Sequence, residues 1–318
     1  MEAVSHTSQW TAAARALETE RDDALFRDDL ARPLASQTGF DLLKKYGGGG
    51  LADFVSIRTK YLDDAIATHV RDGRIRQVVL IAAGMDARAF RLTWPTDAVV
   101  YEVDHSALFE VKEGRLADLD AKPSVDRRVV GADLTKPWLP SLYEAGFDPE
   151  KPTLWVAEAL LFFLTDDQVR GLLDLLAEGS APGSVLALDV LSESLLKNIG
   201  TQLFLNALKA DGIPWLFGTD DPEGYFALSG WQVNRLNEPG EEGIGKGRWP
   251  YEVFPRDVPD IPRNWLLHAE YQGCPAAPPA GPVVARAPSP AATAGPGTPV
   301  RPRARSRTYA RKPGPVRT

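Results

Sequence analysis

The chain has 318 residues and a formal net charge of −7, with 44% hydrophobic and 25% charged residues. Those proportions belong to a soluble globular protein with one large or two small α/β domains, and no apolar run reaches the 18 residues of a membrane-spanning helix. One cysteine, Cys274, and four histidines exclude an internal disulfide and a cysteine metal cluster, so no metal site is expected.

The first residues lack a basic start followed by an apolar core, which argues against a secretory signal and for a cytoplasmic protein with no membrane role. Residues 8–45 read as helical, with Pro33 expected to break or kink the second piece. The glycines 47–50 form a joint. Residues 51–72 place apolar side chains at helical spacing. A strand near 77–82, a helix near 86–92, a strand near 98–103 and a helix near 105–118 follow. Val125–Leu134 reads as a third strand ending in Asp133. Thr153–Leu164 starts as a fourth and runs into a turn and a helix. Ser184–Leu191 is a fifth.

Residues 192–228 carry Phe204, Trp215, Phe217, Tyr225 and Phe226 in mixed helix and loop, the composition of a lid-like insertion. Trp231–Leu236 and Asn264–Tyr271 are the last strands, separated by a Gly/Pro-rich excursion over 237–263. From Pro275 onward there are eight Lys/Arg, no acid and 11 prolines. That segment cannot bury enough surface to offset its ordering entropy, which predicts a disordered Pro/Ala/Arg-rich tail over 275–318. Its charge of +8 leaves about −15 on residues 1–274, too acidic a body to expect nucleic-acid binding.

Strands alternating with helices predict an α/β fold: a mostly parallel sheet with helices on both faces and a ligand site beyond the carboxyl ends of its strands. Asp86, Asp104, Asp133 and Glu158 all fall at such ends. The first strand closes on Ala82-Ala83-Gly84-Met85-Asp86, with one glycine and an acid where a pyrophosphate would be repelled, instead of the G-x-G-x-x-G turn of dinucleotide sites. An NAD(P)-dependent oxidoreductase is therefore disfavoured. A phosphate-free nucleoside with a cationic centre, S-adenosylmethionine, suits the acids better.

Four blocks in series extend this reading. TAAARALETERDDALFRDDLA, IRTKYLDD, VVLIAAGMDARAFRL with YEVDH, and GADLTKPW with PTLWVAEALLFFL together resemble the leucine carboxyl methyltransferase family, in its actinobacterial and polyketide O-methyltransferase branch. The resemblance implies a Rossmann-like class I methyltransferase fold, with seven strands, the last reversed, and extra N-terminal helices. It implies S-adenosylmethionine as cofactor and methylation of a small-molecule oxygen, a carboxylate or acidic phenol of secondary metabolism. It also implies site roles. Arg58 would grip the methionine carboxylate of the cofactor bidentately, Ala82 and Gly84 would pass beside the methionine portion, and Asp86 would approach the cofactor. Asp104 would hold the ribose hydroxyls, Asp133 and Leu134 the adenine, and Glu158 the amino group or reacting centre.

Tyr61, Phe162, Phe163, Trp215 and Tyr225 are the aromatic candidates for a substrate pocket. Glu158 and Tyr225 are the candidates for a catalytic part, no histidine being placed as a base. His69 and His105 read as surface or capping residues, and His268 as a satisfied core histidine. Two departures from the family stand out: Ala82 and Ala159 occupy positions where the family usually has glycine. The methyl of Ala82 is expected to weaken cofactor binding, and a member that binds without catalysing is the competing reading.

Overall fold

The computed structural model describes the backbone of residues 2–273 and the side chains of residues 7–273. Cys274 and the tail expected over 275–318 lie outside the described residues. Among the described residues no helix is long and apolar enough to cross a membrane.

Seven strands form one sheet: β1 (Gln77–Ile81), β2 (Val99–Asp104), β3 (Asp126–Gly131), β4 (Thr153–Ala157), β5 (Val185–Leu191), β6 (Trp231–Asn237) and β7 (Asn264–Tyr271). Their order is β3-β2-β1-β4-β5-β7-β6. The first five run parallel and β7 is antiparallel to both neighbours. This is the topology the family resemblance implies. β1, β4 and β5 are buried along their whole length, so they read as unbroken apolar runs. The edge strand β3 is mostly exposed or half-buried, with only Val130 buried, and it ends two residues before Asp133.

The alternation of a strand divides the core between two faces. Val78, Leu80, Val100, Leu154 and Val156 pack against α3 (Leu51–Arg71) through Ile57, Tyr61, Leu62 and Ile66. Val79, Ile81, Tyr101, Val103 and Trp155 face Trp138, Leu142 and the apolar stripe of α7 (Asp166–Glu178). Thr165 starts α7 cleanly: it accepts from the Gln168 N–H while the Gln168 side chain accepts from Thr165, a capping box.

Two local expectations are corrected, and the mixed helix and loop expected over 192–228 is resolved into its elements. α1 (Glu2–Thr19) is followed by α2 (Ala31–Tyr46), whose kink is at Ser36, φ 53°, not at Pro33; Pro33 sits in the first turn, where a missing N–H costs nothing. The helix expected over 86–92 is the single turn α4 (Arg88–Arg91), because Asp86 belongs to the turn. The 192–228 segment forms α8 (Glu193–Lys197), α9 (Gln202–Ala210) and α10 (Pro222–Ala227). Two of its aromatics, Phe217 and Phe226, are buried in the sheet's core, which anchors the segment. α5 (Ser106–Asp118) follows β2 and α6 (Leu139–Glu144) follows β3.

Candidate functional site

After β3 at the sheet's edge the chain returns to place β4 on the other side of β1. The crevice between the carboxyl ends of β1 and β4 is the switch point where α/β sheets bind ligands. A cavity of about 330 Å³ lies there. The turns after β1, β2 and β4 supply its floor, Leu134 and Thr135 one side, and Arg58 of α3 another. Thr7, Ser8, Thr11 and Arg15 of α1 close over it.

The turn after β1 is built from small residues for a steric reason. Gly84 has φ +50°, and a Cβ there would come within 2.7 Å of the Ser8 Cβ. Ala82 and Ala159, on the two sides of the crevice, also have positive φ, 53° and 55°. Both alanines line the cavity, and both hold a conformation that disfavours a Cβ. Ala82 and Ala159, where the resemblance leads one to expect glycine, are thus strained positions of the site.

Asp104 closes β2. Its carboxylate accepts from the Gly84 N–H at 2.8 Å and the His105 N–H at 2.7 Å. Burial raises its pKa, and the two N–H groups only partly offset this. Glu158, just past β4, sits between two guanidiniums. Arg58 donates to its Oε1 at 3.1 Å, Arg88 lies 2.7 Å from its Oε2, and Thr59 also reaches Oε1. Burial pushes the Glu158 carboxyl up, but Arg88 and Arg58 outweigh it and hold the group well below the usual carboxylate range. Asp86 is similar: burial raises it, Arg88 and Arg15 lower it further, and the net direction is down.

These pairs belong to one network. Arg58 also binds Asp189; Arg88 binds Asp86 and Asp63; Arg91 binds Asp63 and lies 3.7 Å from Asp28; Arg15 binds Asp28 and donates to the Met85 carbonyl. Four guanidiniums meet five carboxylates, so the network carries one excess negative charge beside the cavity. Arg58 spends Nε on Glu158 and Nη1 on Asp189, and its buried Nη2 has no partner. Of its three nitrogens, only Nη2 is thus uncommitted to a carboxylate.

The structure brings Arg58, Ala82, Gly84, Asp86, Asp104, Leu134 and Glu158 to the cavity. Asp133 is not in its lining: its carboxylate takes the Thr135 N–H and hydroxyl and lies 3.1 Å from Lys136, which hold it at about 2. Of the aromatic candidates only Phe163 lines the cavity. Phe162 is buried against Trp215, ring centres 4.7 Å apart. Tyr61 is a core residue whose hydroxyl donates to the Leu266 carbonyl, and burial raises its pKa. Tyr225 gives its hydroxyl to Asp166 and is not among the residues that line the cavity. His105 lines the cavity. His268 is a core residue but not a satisfied one: its Nε2 and that of His69, whose ring it meets, are buried without a partner.

Sequence reasoning missed Asp189. It looked for acids at strand ends, and Asp189 lies inside β5; the signal was a lone acid in the wholly buried run VLALDVL. Burial raises its pKa more than Arg58 lowers it.

Residues 8–177 match the profile of the family described as leucine carboxyl methyltransferase. The chain belongs to that family. Over 208 residues it is 42% identical to a Mycobacterium marinum protein named "Putative S-adenosyl-L-methionine-dependent methyltransferase", an alignment covering 59% of this chain and 64% of that protein. The chain thus spans just under two-thirds of the length of that relative. A Mycobacterium tuberculosis H37Ra protein of the same name is 33% identical over 290 residues, 81% of this chain and 88% of its own. Among solved structures, a DUF574 family protein from Streptomyces avermitilis superposes with a TM-score of 0.55 at 17% identity, covering 82% of this chain and 96% of that one. A "putative methyltransferase" from Thermobifida fusca gives 0.53 at 18%, covering 82% and 94%. These two share the fold. The family match ends at residue 177, so β5 with Asp189, and α8 to α10, lie beyond it.

Proposed function

We propose that this chain is an S-adenosylmethionine-dependent O-methyltransferase acting on a small molecule, and that its acceptor is a carboxylate or an acidic phenol of secondary metabolism. The observation that carries the reading is a cavity-lining arginine, Arg58, whose buried Nη2 has no partner, set in a network with one excess formal negative charge. An unpaired guanidinium nitrogen in a buried site wants an anionic acceptor, while the excess of carboxylate wants a cation. S-adenosylmethionine carries both, a carboxylate beside an ammonium and a sulfonium. Asp104 at the end of β2 suits a ribose diol, and the turn at Gly84 offers a backbone free of Cβ.

The residues that would hold the cofactor are Arg58, Gly84, Asp104, Leu134 and Glu158. Bound there, it supplies a methyl group already activated on a sulfonium. What remains for the protein is to align an oxygen with that methyl and keep water out. Such positioning supplies up to ~7–11 kcal/mol in favourable systems. Glu158 is a poor base, because two guanidiniums hold it anionic well below its ordinary range. That favours an acceptor ionised on its own, a carboxylate first and an acidic phenol second. Phe163 and Leu160 give the acceptor side an apolar wall.

The test is calorimetry of the full chain with S-adenosylmethionine, S-adenosylhomocysteine and NAD. Micromolar binding of the first two, weakened in Asp104→Ala and Arg58→Lys, is expected. NAD binding, or no nucleoside binding by folded protein, would overturn the reading. Methyl-labelled cofactor with mixed carboxylic acids and phenols then decides the acceptor: an ester label is lost in mild alkali and an ether label is kept. Binding without transfer to either would favour the non-catalytic reading, which rests on the methyl of Ala82 at φ 53°.

A further inference from the structure

β5 is buried throughout, and Asp189 is its one charged residue, with no exposed surface. A carboxylate in such a place costs several kcal/mol unless it is paired and hydrogen-bonded. Each of its oxygens has one partner. Oδ1 accepts from the backbone N–H of Ala159 at 2.7 Å. Oδ2 accepts from Nη1 of Arg58 at 3.0 Å. The two donors are cavity-lining residues, yet Asp189 itself is not in the lining. Its contacts reach Ala159, just past the neighbouring strand β4, and Arg58 of α3, across 30 and 131 residues of sequence.

We propose that Asp189 is a positioning residue for the methyl-donor pocket: anchored by the Ala159 N–H, it turns the Arg58 guanidinium so that Nη2 is the nitrogen left for a ligand carboxylate. This rests on the cofactor reading above. The geometry gives each atom a task. Glu158 takes Nε of Arg58 and Asp189 takes Nη1, which fixes the plane of the guanidinium from two sides. Ala159 keeps its left-handed backbone, φ 55°, with its N–H committed to Oδ1. The chain of contacts therefore runs from the Ala159 N–H, through a buried acid, to the Arg58 guanidinium, and both ends belong to cavity-lining residues.

Asparagine exposes this arrangement. Its amide has one oxygen for two donors, so its NH₂ must face either the Ala159 N–H or the Arg58 guanidinium. The expected loss is specific to ligands with a carboxylate. Full-length wild type and Asp189→Asn are titrated with S-adenosylhomocysteine and with 5′-methylthioadenosine, which keeps the adenosine and the thioether but has no amino-acid end. S-adenosylhomocysteine should bind the variant about tenfold to a hundredfold more weakly, while 5′-methylthioadenosine binds both proteins alike.

Equal weakening of the two ligands would mean a general structural role and overturn the proposal, as would unchanged S-adenosylhomocysteine binding. Should Asp189→Asn fail to fold, Asp189→Ser, which leaves no anion and less bulk at the site, is read by the same ratio of affinities. A folded wild type that binds neither nucleoside overturns the cofactor reading and this proposal together; a wild type that binds both beside an unaffected variant overturns this proposal alone.

Discussion

Lys112 of α5 donates to Glu102 of β2 at 2.7 Å, and neither side chain has any exposed surface. Glu102 and Asp104 lie two residues apart and so share a face of β2. Lys112 neutralises the first, with Arg127 adding bonds at 2.8 and 2.7 Å. Asp104 is left with backbone donors alone, and it is the acid that lines the cavity. The sequence YEVD thus divides its two acids between holding the fold and facing the ligand. Removing one partner of a buried pair leaves a charge uncompensated. Lys112→Met is expected to lower stability by about 3 kcal/mol, read as an earlier urea midpoint at unchanged slope, with nucleoside affinity unaltered. A loss below about 1 kcal/mol would show that Arg127 alone satisfies Glu102.

Ala82 and Ala159 make the opposite case, since each keeps a Cβ where the backbone resists one. Alanine to glycine ordinarily destabilises by about 0.5–1 kcal/mol through the entropy of the unfolded chain. At a left-handed position the relief of strain, roughly 1–2 kcal/mol, offsets that cost. Ala82→Gly and Ala159→Gly are therefore expected to be neutral or stabilising in urea. A loss above about 1 kcal/mol in either variant would mean that its methyl group packs more than it strains.

The parts of this fold visible in the sequence are those set by local pattern. β1, β4 and β5 are apolar because both their faces are covered, and α3 and α7 carry plain helical spacing. That Ala82 to Gly84 and Asp104 would meet at one cavity is legible in the sequence, because a strand end and a turn announce themselves. Partners are not. Arg58 meets Glu158 and Asp189 across 100 and 131 residues, and no spacing rule reaches that far. Tyr61 could not be told from a pocket residue, because one face of a buried helix looks the same whether it meets a sheet or a ligand. Asp133 lies off the lining for a smaller reason: β3 ends at Gly131, and two residues further its carboxylate binds Thr135.

Phe217 and Trp215, both expected in a cover over the substrate, have different surroundings. Phe217 is buried beside Tyr225 in the main core. Trp215 is half-buried and bridges Phe162 and Phe204, ring centres at 4.7 and 5.1 Å. Phe217→Ala should cost about 3–5 kcal/mol, as a large core truncation does. Trp215→Ala should cost clearly less and leave S-adenosylhomocysteine affinity unchanged, because Trp215 does not line the cavity; its effect should appear as a raised acceptor KM, through the Phe162 and Phe163 stack. Equal destabilisation by the two changes would place Trp215 in the core as well.

His268 of β7 gives the pH dependence. Its ring lies 5.0 Å from Tyr61 and 5.3 Å from His69, and its Nε2 is buried without a partner. Burial, then the nearby His69 and Arg235, push its pKa from 6.5 down to about 3. The unfolded chain therefore binds a proton on His268 below about pH 6.5, while the folded chain refuses it until about pH 3. In that window the unfolded state holds more protons, so stability is full above it and falls as the pH drops. One such group contributes a slope of about 1.36 kcal/mol per pH unit, or about 2 kcal/mol lost between pH 6.5 and 5. His69 is lowered by burial as well and acts in the same direction. His268→Phe keeps a ring against Tyr61 and removes the titration. Its stability at pH 7.5 should be close to wild type, while the loss on going to pH 5 should shrink by about 2 kcal/mol. An equally steep loss in the variant would assign the acid sensitivity to His69.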